Sequence, residues 1–183
     1  MSSRPVPAKR VPRASFQRPS AGFTLIELMV TVAVLGILAV VAVPAMQSLV
    51  NGNRLAGATG ELTSALHLAR SEAVRRSARV TICRSADGEE CEDGTEWDRW
   101  IIVGRDNTSG EDVVIRDESV AGPIQVTGPE NGIQFRPSGL IAGQETLTVC
   151  MPTANPAENQ RTITVLISGA TLAEGVNGGG ECP

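Results

Sequence analysis

Gly22-Phe23-Thr24-Leu25-Ile26-Glu27-Leu28 opens a run in which, after Glu27, no charged residue occurs until Arg54. A bilayer core takes about 20 apolar residues as a helix, so residues 28–53 are long enough to cross one. The single carboxylate at the start of this run, Glu27, stands four residues after Phe23. An ionisable group in an apolar helix costs roughly 2.5 to 3.5 kcal/mol at mid-membrane, and a group that expensive is expected to have a partner.

On the amino-terminal side of Gly22 the composition changes. Arg4, Lys9, Arg10, Arg13 and Arg18 give residues 1–22 a charge of +5 with no acid, and proline and serine are frequent. Such a segment is not expected to fold by itself. Positive flanks stay on the cytoplasmic side, so the chain beyond the apolar run is expected on the other face of the membrane. From Phe23 onward it carries 11 basic against 20 acidic residues, a net charge of −9. A secretory signal would have a shorter apolar core with a small-residue cleavage site after it. Here the glycine precedes the run and a glutamate interrupts its start.

These residues resemble the signature of type IV prepilins and type II secretion pseudopilins. The resemblance implies that a membrane prepilin peptidase cuts between Gly22 and Phe23 and that the new amino terminus at Phe23 is methylated. It implies that Glu27 offsets the amine charge of a neighbouring subunit's first residue. Counted from Phe23, Gly36 and Pro44 fall at the fourteenth and twenty-second positions, where many members of that family carry helix-weakening residues. The implied partners are the peptidase, other pilins or pseudopilins in a helical filament, and an inner-membrane assembly platform.

Beyond the apolar run the helical period continues. Leu55, Ala58, Leu62, Ala65, Leu66, Ala69 and Ala73 recur at three- and four-residue steps, with Glu61, Ser64, His67, Arg70, Ser71 and Arg75 on the other face. Pro44, Gly52, Gly57 and Gly60 predict local weakness, because proline removes a ladder bond and each glycine costs about 1 kcal/mol relative to alanine. After Ala78 the pattern shifts to short β-rich runs. Strands are expected over residues 79–84, 97–103, 112–116, 124–127, 132–136, 145–150 and 161–167. One helix followed by strands predicts an α+β fold, in which the carboxy-terminal half of a long membrane-spanning helix packs on an antiparallel sheet domain of one sheet or two. The expected division is a cleaved basic leader at 1–22, a membrane and assembly half-helix at 23–50, an amphipathic half-helix at 51–78 and a periplasmic β-rich domain at 79–183. Trp97, Trp100 and Phe135 are expected in its core.

Cys83, Cys91, Cys150 and Cys182 lie in the part expected outside the cytoplasm, where disulfides form. Three connectivities are open. The short Cys83 to Cys91 separation and the place of Cys182 near the chain end favour Cys83–Cys91 with Cys150–Cys182. Closing those two loops would contribute roughly 2.5 and 3.7 kcal/mol in the chain-entropy account. No Cys-x-x-Cys occurs and His67 is the sole histidine, so zinc is not expected.

Thr81-Ile82-Cys83-Arg84-Ser85, Trp97, the stretch from Trp100 to Asp106, Gly132-Ile133-Gln134-Phe135-Arg136-Pro137-Ser138-Gly139 and Leu147-Thr148-Val149-Cys150 resemble the globular part of the GspH/FimT group of minor pilins and pseudopilins. Arg99 and Gly104 depart from the group's usual glycine before the second tryptophan and aromatic after it. Some pilus-associated members resembling this group bind DNA through arginines after a glycine near the carboxy terminus. The matching stretch here, Ser168-Gly169-Ala170-Thr171-Leu172-Ala173-Glu174, has no arginine, and a chain at −9 lacks the basic footprint that phosphate neutralisation needs. Nucleic-acid binding is therefore not expected.

The acidic residues of 87–98 could offer oxygen ligands to calcium, but their spacing is not that of an EF-hand loop, and such a stretch is ordinarily solvated. No phosphate-binding glycine loop, paired-histidine motif or nucleophile and base pair stands out, so neither an enzyme nor a cofactor is expected. The expected function is that of a structural subunit, either a minor pseudopilin in type II protein secretion or a minor type IV pilus subunit in pilus assembly, adhesion or DNA uptake.

Overall fold

The structure, a computed structural model, describes residues 22–183. The leader expected at 1–22 lies outside the described residues except for Gly22. The chain divides into two compact units, one ending at Val40 and the other running Val41–Pro183.

Helix α1 (Leu25–Arg76) has 52 residues and continues through Pro44. Side chains added at Gly57 and Gly60 would meet nothing within 4 Å, so neither glycine is there to admit a close neighbour. The helix stops where Ser77 takes a left-handed φ of 51°. The Ser77 N–H donates to the Val74 carbonyl (3.2 Å) and the Ala78 N–H to the Ala73 carbonyl (3.3 Å). These two bonds satisfy carbonyls that a helix end otherwise leaves unpaired. A serine holds the turn in place of the usual glycine, so composition alone gives no stop signal there.

Eight strands follow: β1 (Val80–Arg84), β2 (Arg99–Arg105), β3 (Asp112–Ser119), β4 (Gln125–Thr127), β5 (Ile133–Phe135), β6 (Glu145–Cys150), β7 (Gln160–Val165) and β8 (Thr171–Val176). They form two four-stranded sheets, ordered β3-β2-β1-β5 and β4-β6-β7-β8. All pairings are antiparallel. The chain steps between sheets near Trp97. Glu96 bridges to Thr127 and the Trp97 N–H donates to the Val126 carbonyl (2.7 Å) in one sheet, while Arg99 begins β2 in the other.

One core joins the helix to both sheets. Leu55, Leu62, Leu66 and Ala73 on α1, Ile82, Trp100 and Phe135 in the first sheet, and Leu147, Val149 and Ile163 in the second all belong to it. The period-2 alternation is visible in β5, where Ile133 and Phe135 are buried and Gln134 is exposed. Trp97 is fully buried, and its indole Nε1 has no hydrogen-bond partner among the described residues.

The two departures noted in the first sheet have a local explanation. The register between β2 and β3 shifts after Ile102, leaving Ile115 as the extra residue of a bulge on the edge strand. A side chain at Gly104 would meet the Ile115 Cδ1 at 2.8 Å and the Val80 Cγ2 at 3.0 Å, so the bulged isoleucine fills the space an aromatic would need. Arg99 forks onto Asp117, with Nε to Oδ1 at 2.8 Å and Nη2 to Oδ2 at 2.6 Å. That hydrogen bond holds the Asp117 carboxyl below its usual range.

Of the three connectivities open to the cysteines, the structure has Cys83–Cys91 and Cys150–Cys182. The tail before Cys182 is fixed by a buried amide. Asn159 Nδ2 donates to the carbonyls of Met151 (3.0 Å) and Glu181 (3.1 Å), and its Oδ1 accepts from the Gly178 N–H (2.8 Å). The last strand, β8, was not expected from the sequence. It pairs with β7 over its whole length, but five of its six residues are exposed, so it carries no buried alternation to read.

Candidate assembly helix

The amino-terminal end of α1 is built by Thr24. Its carbonyl accepts the Leu28 N–H (3.1 Å) and its Oγ1 accepts the Glu27 N–H (3.2 Å). Thr24-x-x-Glu27 is the sequence form of a capping box, a signal that the reading of charge and hydropathy passed over. It places Glu27 in the first turn, where the positive end of the helix favours a carboxylate. Among the described residues, that carboxylate has neither a hydrogen bond nor an ion pair.

Glu27 starts a surface of unusual character. Phe23, Leu25, Ile26, Leu28, Leu35, Ile37 and Val41 are each at least 60 % exposed, and the exposed apolar series continues to Leu49 and Val50. Each such side chain gains roughly 1.5 to 3 kcal/mol when fully buried, so water is a poor surrounding for a helix carrying so many of them. The stretch belongs in lipid, among other helices, or in each in turn. The helix is long and apolar enough to cross a membrane. Thr31 is compatible with either setting, because its Oγ1 donates to the Leu28 carbonyl at 2.9 Å.

From Leu55 the helix buries one face in the globular core. Just before it, Asn51 Nδ2 donates to the Asn155 carbonyl (2.9 Å). At the far end Glu72 takes the Arg75 Nε (3.0 Å) and Nη2 (2.5 Å) and the Arg76 Nε (2.7 Å). The Arg75 bond first, then that from Arg76, holds the Glu72 carboxyl below the ordinary glutamate value. Asn107 Nδ2 donates to the Arg76 carbonyl (2.7 Å), which ties the loop between β2 and β3 to the helix end.

The acidic loop of residues 87–98 is organised by its own backbone. Asp87 Oδ1 accepts the N–H groups of Glu89 (2.8 Å) and Glu90 (3.3 Å) and the Ser85 hydroxyl (3.2 Å), and Glu92 pairs with Arg84 at 2.6 Å. Those backbone bonds, from Glu89 and then Glu90, lower the Asp87 carboxyl. Among the described residues no three His, Cys, Asp or Glu side chains are gathered as a metal site. The stretch 168–174 forms the turn into β8 and the first four residues of that strand, and His67 Nε2 lies 3.2 Å from the Thr171 Oγ1 there.

The family described as Type II transport protein GspH matches residues 58–171, and the Prokaryotic N-terminal methylation motif matches residues 17–43. The type IV major alpha-pilin of Moraxella bovis is 46% identical over 43 residues, 24% of this chain and 27% of that protein. The chain thus spans about a quarter of the length of the curated relatives it matches. Among solved structures, the type IV minor pilin FimU of Pseudomonas aeruginosa aligns with a TM-score of 0.52 at 20% identity, covering 67% of this chain and 89% of that one. The minor pseudopilin EpsH of the Vibrio cholerae type 2 secretion system aligns with a TM-score of 0.47 at 15% identity, over 64% and 94%. The FimU likeness concerns the fold, a long amino-terminal helix followed by an antiparallel sheet domain. With more than half of the chain matched by that one family and the helix start matched by the methylation motif, the chain belongs to the GspH family.

Proposed function

We propose that this protein is a minor pseudopilin, a structural subunit of the type II secretion pseudopilus rather than an enzyme. The observation that carries the reading is an uncovered apolar helix that begins just after Gly22-Phe23, has Glu27 in its first turn and runs into a GspH domain. Prepilin peptidase removes residues 1–22 by hydrolysing the Gly22–Phe23 bond, and the new amine of Phe23 is methylated. The helix waits in the inner membrane with the domain in the periplasm, as the basic leader and the two disulfides favour. It then leaves lipid for a bundle of sister helices, drawn from the membrane by the assembly platform. Glu27 sets its axial level by pairing with a neighbour's amine, which gives the buried carboxylate the partner its cost requires.

A second reading, a minor subunit of a type IV pilus, is favoured by the pilus proteins of Moraxella bovis matched over 43 residues. A deletion strain scored in parallel for exoprotein secretion, twitching and transformation separates the two. Loss of secretion alone is expected; loss of twitching with normal secretion overturns the pseudopilus reading in favour of the pilus. Processing is checked by intact mass, which is expected to match residues 23–183 plus one methyl group. A retained leader would contradict the peptidase step.

A further inference from the structure

The outer face of the first sheet carries a row of like charges. Arg79 stands one residue before β1, one register step beyond Val80↔Gly104 and Val80↔Phe135. That step aligns it with Arg105 on one side and Arg136 on the other, and Arg105 is itself paired with Asp112 on β3. All four line one groove of about 870 Å³, together with Thr81 and Gln134 from the adjoining rung. The arginines are exposed, and none of the three has an ion-pair or side-chain hydrogen-bond partner among the described residues.

Like charges directly opposite on neighbouring strands destabilise a sheet. The chain has acids in excess, and among the described residues six ion pairs already engage Arg75, Arg76, Arg84, Arg99, Arg116 and Arg161. Among the described residues Asp112, opposite Arg105, is the one carboxylate in this groove, so three arginines side by side keep a net positive charge that the fold relieves only in part. A ligand that brings carboxylates relieves it.

We propose that this groove docks a short, extended, carboxylate-rich segment of a neighbouring protein subunit. Strand spacing of about 4.8 Å spreads the three guanidinium-bearing strands over roughly 10 Å, the reach of a few residues of extended chain with acids at alternate positions. Guanidinium groups take carboxylates in bidentate fashion, and Thr81 and Gln134 add neutral hydrogen-bonding groups. A nucleic-acid duplex fits less well. It carries about one charge per 1.7 Å of axis and extends past the groove. Its continuation would meet the acidic loop of residues 87–98, whose Cys91 lines the groove. A short segment ends before that loop. The identification of the partner as a filament subunit rests on the function proposed above, whereas the chemistry of the groove does not.

The test uses the full chain in non-ionic detergent and a fluorescent peptide of glutamates alternating with glycine, with its glutamine counterpart, a short DNA duplex and inorganic phosphate as comparisons. The glutamate peptide is expected to bind in a salt-sensitive way, and the combined Arg79→Gln, Arg105→Gln and Arg136→Gln variant to weaken it by about tenfold or more. Its melting temperature is expected to stay or rise, because a repulsion has been removed. Asp112→Asn is expected to tighten binding, and this variant carries the test if the triple variant fails to fold. Equal binding of the glutamine peptide, tighter binding of the duplex, displacement by phosphate as readily as by free peptide, or no response to Asp112→Asn would each overturn the proposal. These readouts need no filament, so a failure here leaves the secretion and processing tests untouched.

Discussion

A Glu27→Val variant is expected to enter the membrane at the wild-type level and to be depleted from the filament fraction by more than about a hundredfold. Breaking a buried ion pair by removing one partner costs about 3–5 kcal/mol, because the charge left behind has lost its compensation. Each 1.4 kcal/mol is about tenfold in an equilibrium. In the isolated chain Glu27 has no partner among the described residues, so its removal leaves the folded monomer with nothing unpaired. The local alternative is that Glu27 only supports the first helical turn beside Thr24. Two further variants separate these roles. Glu27→Gln keeps a side chain suited to a capping box but not the charge, and is expected to behave like valine. Thr24→Ala removes the cap for about 1 kcal/mol and is expected to leave incorporation nearly intact. Immunoblots of sheared filaments against membranes read all three. Wild-type incorporation of Glu27→Val would remove the proposed role.

Trp97→Ala is expected to be the most damaging change in the globular core, at about 3–5 kcal/mol. The indole is fully buried and in close contact with Gly128, where an added side chain would come within 2.7 Å of Trp97 Cε2. Trp97→Phe is expected to cost much less. Among the described residues the Trp97 Nε1 makes no hydrogen bond, so phenylalanine forfeits none and removes a desolvated donor that by itself costs about 1–3 kcal/mol. Calorimetric melting of the full chain is expected to fall by roughly 6 to 20 °C for alanine and by a small fraction of that for phenylalanine. Equal losses for the two would mean that the indole nitrogen has a partner.

The long helix was legible because two different periods agree with it: an unbroken apolar run, then a three- and four-residue repeat whose seven named residues from Leu55 to Ala73 are all buried. The α+β architecture followed from the change to short β-rich runs, and both disulfides join the cysteine pairs that spacing favoured. What escaped was held by backbone geometry rather than side-chain pattern. β8 pairs through its main chain while exposing most side chains, so its sequence reads as tail. The bulge at Ile115 is a register event, and only its consequence, the glycine at 104, shows in the sequence. The arginine row was hidden for a similar reason. Arg79, Arg105 and Arg136 are far apart along the chain and meet only through strand register.

Asn159 has a consequence for biogenesis. By gripping the backbone at Met151, next to Cys150, and at Gly178 and Glu181, just before Cys182, its amide is expected to let a chain whose thiols are still reduced settle its end beside β6. The closing bond would then act as a latch on an end that hydrogen bonds already hold.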